Sequence, residues 1–352
     1  MESAIPKHLR CPRTQARRAP EGYQPPFPAR SARYQPSVQQ LVMAHFGVQA
    51  QAASACRPAW TWLVEAMSVP DRPDHWEAAT FVDTAGFTNL LLTAYWRDPV
   101  AYQRWWHTLG CAWTEGDHWG EGVGTYAEVL QPTVQRFETL FSSNRPEGVA
   151  RLADGLSGDI TEHGYWGSMR DRLPAAQTDA LVGARAPTVE DLGNGLVRVQ
   201  PVDNLCLIRS GQDWSDTSAQ ERQQYLRDVE PVLRQGMDFL SQQGQEVGCL
   251  ANRYLRVLDA RGEPIEKSFG LSWWRDLGAL ETWAQSHPTH VAIFGAAMAY
   301  LGSLGPSAQL KLFHEVTVTE ARQQQFSYRH CHPRTGLLQT LVSAPRTPTE
   351  QE

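Results

Sequence analysis

Tyr95-Trp96-Arg97-Asp98 and Trp273-Trp274-Arg275-Asp276 are near-copies of one short segment, 178 residues apart. The same offset pairs Ala101 with Ala279 and Trp105 with Trp283. At each place an apolar run of strand type ends and a helix begins, so two matches in register read as an internal duplication. A later match, Tyr126-Ala127-Glu128-Val129 against Phe313-His314-Glu315-Val316, supports it. It also sets Ala127 opposite His314, so a site built on that histidine exists once.

Outward from the first copy, the pattern predicts a strand over 41–48 and a helix opened by Pro58, where a missing N–H costs nothing. Strands over 78–82 and 87–96 follow around a turn at 83–86, then a helix over 99–109 and a strand over 125–130. The order β-α-β-β-α-β is the ferredoxin-like unit. The second half predicts it again: a strand over 196–208, a helix from Thr217 with Gln220 in capping-box spacing, strands over 247–258 and 265–274, helices over 276–286 and 289–301, and a strand over 310–318. The expected organisation is a basic arm over 1–36, a first unit over 37–140, a connection over 141–194, a second unit over 195–345 and a tail over 346–352.

The chain has 352 residues, 41% apolar and 20% charged, which excludes disordered, collagen-like and coiled-coil classes. No apolar run approaches the ~18–20 residues of a membrane span. The first thirty residues lack a secretory apolar core, so a cytoplasmic protein without a membrane partner is expected. A formal charge of −6 argues against a nucleic-acid partner. The arm is the exception, with seven Pro and seven Lys or Arg against two acids. It reads either as a disordered tail or as an arm lying across a partner subunit, with Tyr23, Phe27 and Tyr34 favouring the docked form. Six scattered cysteines form no C-x-x-C pair, so neither a zinc ribbon nor covalent haem attachment is encoded. Thirteen tryptophans suit either core filling or a large apolar cavity.

Period-two alternation over 310–318 places His314 on the apolar face with Leu312, Val316 and Val318. A core histidine, a general acid or base and a metal ligand all remain open there. Ser210 ends a strand on one face with Cys206 and Ile208, where a turn or cap serine is the plain alternative. His290 opens an apolar helix, the placement of either a helix cap or an axial haem ligand. Glu162-His163-Gly164-Tyr165-Trp166-Gly167-Ser168-Met169-Arg170-Asp171-Arg172 is dense in polar and aromatic groups for a connection, which points to function.

Taken with Arg209 to Trp214, Ser286 to His290, His314-Glu315-Val316 and the opening Arg10-Cys11-Pro12-Arg13, that segment resembles the aldoxime dehydratases of the haem-containing dehydratase family. The resemblance implies an α+β fold: two ferredoxin-like halves forming a dimeric α+β barrel, a homodimer with one noncovalent haem b per subunit. It implies conversion of an aldoxime to a nitrile with loss of water, the oxime nitrogen on ferrous iron. By the same resemblance His290 is the proximal iron ligand, Ser210, His314 and Arg172 are the distal catalytic group, and Glu138 is an acid beside the distal histidine, with His163 close by. An imidazole that titrates near neutrality can protonate the leaving oxygen and then take the C–H proton. A noncatalytic haem-binding barrel and a peroxidase-like haem enzyme are the rival readings.

Overall fold

Alternating, β-branched and aromatic runs build twelve antiparallel strands in a single sheet. The computed structural model describes residues 1–116, 119–183, 185 and 187–342, and the expected tail over 346–352 lies outside them. In chain order the strands are β1 (Val42–Ala50), β2 (His75–Val82), β3 (Thr88–Trp96), β4 (Gly124–Leu130), β5 (Phe137–Phe141), β6 (Thr188–Asp191), β7 (Leu196–Gln200), β8 (Leu205–Asp213), β9 (Cys249–Leu258), β10 (Pro264–Trp274), β11 (Lys311–Thr319) and β12 (Gln324–Arg329). They lie side by side as β5-β11-β8-β10-β9-β2-β3-β1-β4-β12-β7-β6.

Helix Arg57–Ala66 joins β1 to β2, and helical residues from Pro99 to Glu115 join β3 to β4. In the second half, helices Ala219–Asp228 and Glu230–Gln243 join β8 to β9, and Leu277–Ser286 and Pro288–Leu304 join β10 to β11. The expected β-α-β-β-α-β order is therefore present in each half. The strand arrangement β2-β3-β1-β4 is matched by β9-β10-β8-β11.

One face of the first-half strands packs against one face of the second-half strands, where Met43, Leu91 and Tyr95 join Leu255, Phe269 and Leu271. Helices cover the opposite faces. Trp96 packs on Trp105 at 5.3 Å and Trp274 on Trp283 at 5.4 Å between ring centroids. Each buried tryptophan removes 150–250 Å² from water, roughly 4–6 kcal/mol as an upper bound. The Asp of each repeated segment caps its helix: Asp98 accepts from the Val100 N–H and Asp276 from the Ala279 N–H.

The sheet is not the closed barrel expected, since its outermost strands β5 and β6 do not pair. The free edge of β5 is taken by the N-terminal arm, where Arg30 and Phe141 exchange backbone hydrogen bonds and the Ala32 N–H donates to Thr139 Oγ1. An edge whose donors and acceptors are used in this way cannot close on a distant strand. The arm is thus docked on its own chain, neither a disordered tail nor, as expected, laid across a partner subunit, because the edge of β5 offers it backbone partners close by. The strand expected over 196–208 is two strands, because Pro201 lacks an N–H and Asn204 turns at a φ of +61°. The helix expected from Thr217 is capped instead by Ser218, whose Oγ accepts from the Glu221 N–H, and Pro231 begins a second helix.

Candidate active site

Strand register assembles the centre of the site. β8 and β11 pair so that Ser210 faces His314, and β11 and β5 pair so that Glu138 faces Val316. Side chains alternate across a sheet, so Ser210, His314 and Glu138 share the face with Cys206, Val316 and Val318 that the second-half helices cover. The corresponding pair in the first half is Phe46 opposite Ala127. Two apolar side chains there leave the polar site in one half only.

Arg172 comes from outside the sheet, at the end of the short helix Ser168–Arg172. Its Nε donates to Glu138 Oε2 at 2.7 Å and its Nη2 to Glu138 Oε1 at 3.0 Å, a two-pronged fork on one carboxylate. Nη1 donates to the Glu162 carbonyl at 2.8 Å and to Ser168 Oγ at 3.1 Å. Nη2 also lies 2.8 Å from His314 Nε2, and that nitrogen is 3.1 Å from Glu138 Oε1. A ring nitrogen carries either a lone pair or a hydrogen. His314 Nε2 therefore accepts from Arg172 when bare, and donates to Glu138 when protonated, once the Nη2 hydrogen that faces it turns aside.

The Arg172 and Glu138 side chains are 0% and 1% exposed, whereas His314 is 18% exposed and is the member that reaches open space. Burial works against a charged Glu138, but the Arg172 guanidinium and then His314 outweigh it and hold its pKa below the ordinary glutamate value. The Ser210 side chain is partly exposed, and its hydroxyl has no hydrogen-bond partner among the described residues, so it is free to hold a ligand. His163, read from the same connecting segment, is fully buried beside Phe27 at 5.2 Å between ring centroids. Burial and then Arg172 push its pKa down to about 4. The Ile160 backbone, a hydrogen-bond partner of the ring, offsets part of that lowering.

His290 stands apart from this cluster, in the first turn of Pro288–Leu304 behind the N-cap His287. Trp283 packs on its ring at 4.7 Å and Trp166 at 5.8 Å. Burial lowers its pKa, which keeps the imidazole in the neutral form a metal needs. The Ala284 backbone, a hydrogen-bond partner of the ring, offsets part of that lowering. The helix is apolar all round, yet Tyr300 is its one fully buried side chain and Val291 and Phe294 are 47% and 39% exposed. Apolar helices of this kind are normally covered. A neutral imidazole between two indoles beside uncovered apolar side chains fits a haem held through His290.

Reasoning from sequence did not find the supports of these groups. Ser168 Oγ and the Glu162 carbonyl brace Arg172, and the Trp283 ring lies against His290. Their signal was the polar and aromatic density of 162–172 and the repeated tryptophan.

The fold is an antiparallel α+β sheet that carries an imidazole on an apolar helix and, apart from it, a buried Arg–Glu–His group. A profile of the haem-containing dehydratases matches residues 44–337, and the chain belongs to that family. It is 44% identical to an aliphatic aldoxime dehydratase of Pseudomonas chlororaphis, over 98% of this chain and 100% of that one. A crystal structure of an aldoxime dehydratase superposes with a TM-score of 0.91 at 43% identity, covering 96% of this chain and 98% of the other. Another, crystallised with butyraldoxime, gives 0.90 at 40% identity over 96% of each.

Proposed function

We propose that this protein is a haem-dependent lyase that converts aliphatic aldoximes, R–CH=N–OH, to nitriles, R–C≡N, with release of water. The observation that carries the reading is the Glu138–Arg172–His314 group on one face with an unpartnered Ser210 hydroxyl. The aliphatic relative and the butyraldoxime complex support the substrate class. Haem held by His290 supplies, when bound, a ferrous centre that donates electron density to the oxime nitrogen and weakens the N–O bond.

The protein's own groups supply the protons. Ser210 Oγ–H holds the oxime oxygen at ~2.6–3.2 Å. Charged His314, anchored through Nε2–H to Glu138, gives its Nδ1 proton to the departing oxygen, which leaves as water. The now neutral Nδ1 takes the C–H proton as the C≡N bond completes, and the ring returns to its charged form. Arg172 is tied to Glu138, the Glu162 carbonyl and Ser168, so it serves as a fixed charge that keeps Glu138 ionised beside the histidine. Apolar neighbours such as Ile208, Met237 and Val316 exclude bulk water and strengthen these interactions.

The two halves are read as copies of one unit, divided as 37–140 and 195–345 with the 141–194 connection carrying Arg172. The matched strand orders support this, as do Gly47 and Gly211: each lies opposite an aromatic ring, Tyr126 and Phe313, that an added Cβ would approach to 2.0 Å. Leu226, 42% exposed on helix Ala219–Asp228, supports a homodimer contact there.

The test is anaerobic reduction of the haem-loaded protein with dithionite, addition of butyraldoxime, and parallel reading of the Soret band and butyronitrile. A Soret shift with stoichiometric, repeated nitrile release is expected. A shift without nitrile would instead support a noncatalytic haem protein.

A further inference from the structure

We propose that Asp171 is a positioning residue for the reaction: it pins the N-terminal arm onto the 162–172 segment and so holds Arg172 against Glu138 and His314. The proposal rests on the reading of Arg172 as a distal group.

The Asp171 side chain is 0% exposed, yet it touches neither Glu138 nor His314 among the described contacts. Its Oδ2 accepts from the Arg18 N–H at 2.8 Å, the Ala19 N–H at 3.0 Å and the Tyr165 hydroxyl at 2.8 Å. Arg13 adds a donor to the Asp171 carbonyl at 3.3 Å and a guanidinium 3.7 Å from Oδ1. A buried carboxylate whose donors come mostly from a segment about 150 residues away fixes that segment to one place. Its chain neighbour is Arg172, so the peg and the distal guanidinium share one helical turn.

The arm bears on the rest of the segment as well. Gly164 and Gly167 have φ of +79° and +87°, and a Cβ on them would lie 2.6 Å from Tyr23 Oη and 2.7 Å from Arg18 Cγ. Arm side chains thus rest directly on the two left-handed glycines that frame Tyr165 and Trp166. The Tyr23 hydroxyl donates to the His163 carbonyl at 3.0 Å, and the Ala4 N–H to Glu162 Oε2 at 2.8 Å. Through Trp166 the segment meets His290, and through Arg172 it meets His314. Ala4, Pro6 and Leu9 of the arm also line an open pocket of about 30 Å³ beside Glu138 and Arg172. One segment therefore carries contacts to both sides of the site, and the arm sets its position.

The experiment compares haem-loaded full-length Asp171→Asn and Asp171→Ala with the parent protein and with Arg172→Lys. It reads kcat per haem and KM on butyraldoxime, hydrogen exchange over 10–20, and the ferrous Soret band. Expected are lost exchange protection in the arm, a fall in kcat per haem of roughly 10- to 100-fold, as for removal of groups that orient a site, and a smaller change in KM. A shifted ferrous Soret band is expected from the loosened Trp166–His290 contact. Unchanged kcat per haem with a freed arm overturns the proposal, as does an arm still protected in both variants. A variant that only lost haem occupancy and melting temperature at full turnover per haem would show a merely structural role. If Arg172→Lys keeps full turnover, the distal reading fails; if it loses turnover while both Asp171 variants keep it, the role of Asp171 alone fails.

Discussion

Replacing Glu138 with Gln separates the structural from the chemical work of the distal cluster. Glu138 balances a guanidinium with no solvent exposure, through contacts of 2.7 and 3.0 Å, and faces His314 Nε2 at 3.1 Å. Removing one partner of a buried pair costs about 3–5 kcal/mol, because the other charge stays buried without compensation. The amide oxygen of Gln still accepts one hydrogen bond, worth about 1 kcal/mol, so Glu138→Gln should destabilise by roughly 2–4 kcal/mol. At about 2 °C per kcal/mol for a chain of this size, the melting temperature should fall roughly 4–8 °C. Turnover should fall with it, since protonated His314 loses its anionic acceptor. The double variant Glu138→Gln/Arg172→Met removes the stranded charge and should regain most of the stability but none of the turnover. Thermal denaturation of the haem-loaded variants, with nitrile assays on the same samples, reads both quantities. A single variant as stable and as active as the parent would show that Glu138 neither balances Arg172 nor serves His314, and a double variant no more stable than the single would show that no stranded charge was relieved.

Ser210→Ala should retain haem and lower kcat on the order of 10²- to 10³-fold, the cost of one donor aimed at the reacting oxygen, measured by steady-state nitrile formation. His45, buried between β1 neighbours and bonded to Thr93 Oγ1, has its pKa pushed from 6.5 to about 3 by burial. Because the folded pKa lies below the unfolded one, the unfolded chain binds the proton first as pH falls. Stability is then complete above about pH 6.5 and is lost progressively toward about pH 3, by about 2 kcal/mol at pH 5 from this group. His45→Gln should flatten urea-derived stability between pH 7 and pH 5, and an unaltered slope would contradict this. Gly211→Ala should destabilise by about 1–3 kcal/mol through its clash with the Phe313 ring, and Phe313→Leu should relieve part of that loss in denaturant melts.

Much of the scaffold was legible because it is local. Asp98 and Asp276 each stand at the boundary their residue type favours, and both cap as the repeated segment indicates. Alternation along β11 placed His314 on the correct face without knowledge of its partners. The cluster around it was not legible in that way. Arg172 meets Glu138 and His314 across 34 and 142 residues of chain, and no periodicity reports such a contact. Glu138 came from the family resemblance alone, and Arg172, flagged only as part of a polar segment, took its role beside His314 from the same resemblance. The edge of β5 shows the same limit, since β5 itself escaped the pattern and the arm that covers it carries no strand signal. Asn204 and Pro231 acted within single turns, where a broad apolar pattern hides a local break.

In the proposed reaction two histidines divide the work, His290 holding the haem and His314 moving the proton. The most direct measurement is nitrile formed per bound haem, after dithionite reduction, by His314→Ala beside the parent protein and His290→Ala. His314→Ala is expected to keep a full haem complement and a ferrous spectrum that responds to butyraldoxime, yet to form almost no nitrile, while His290→Ala loses or misligates the haem. Nitrile release by His314→Ala at the parental rate per haem would contradict it.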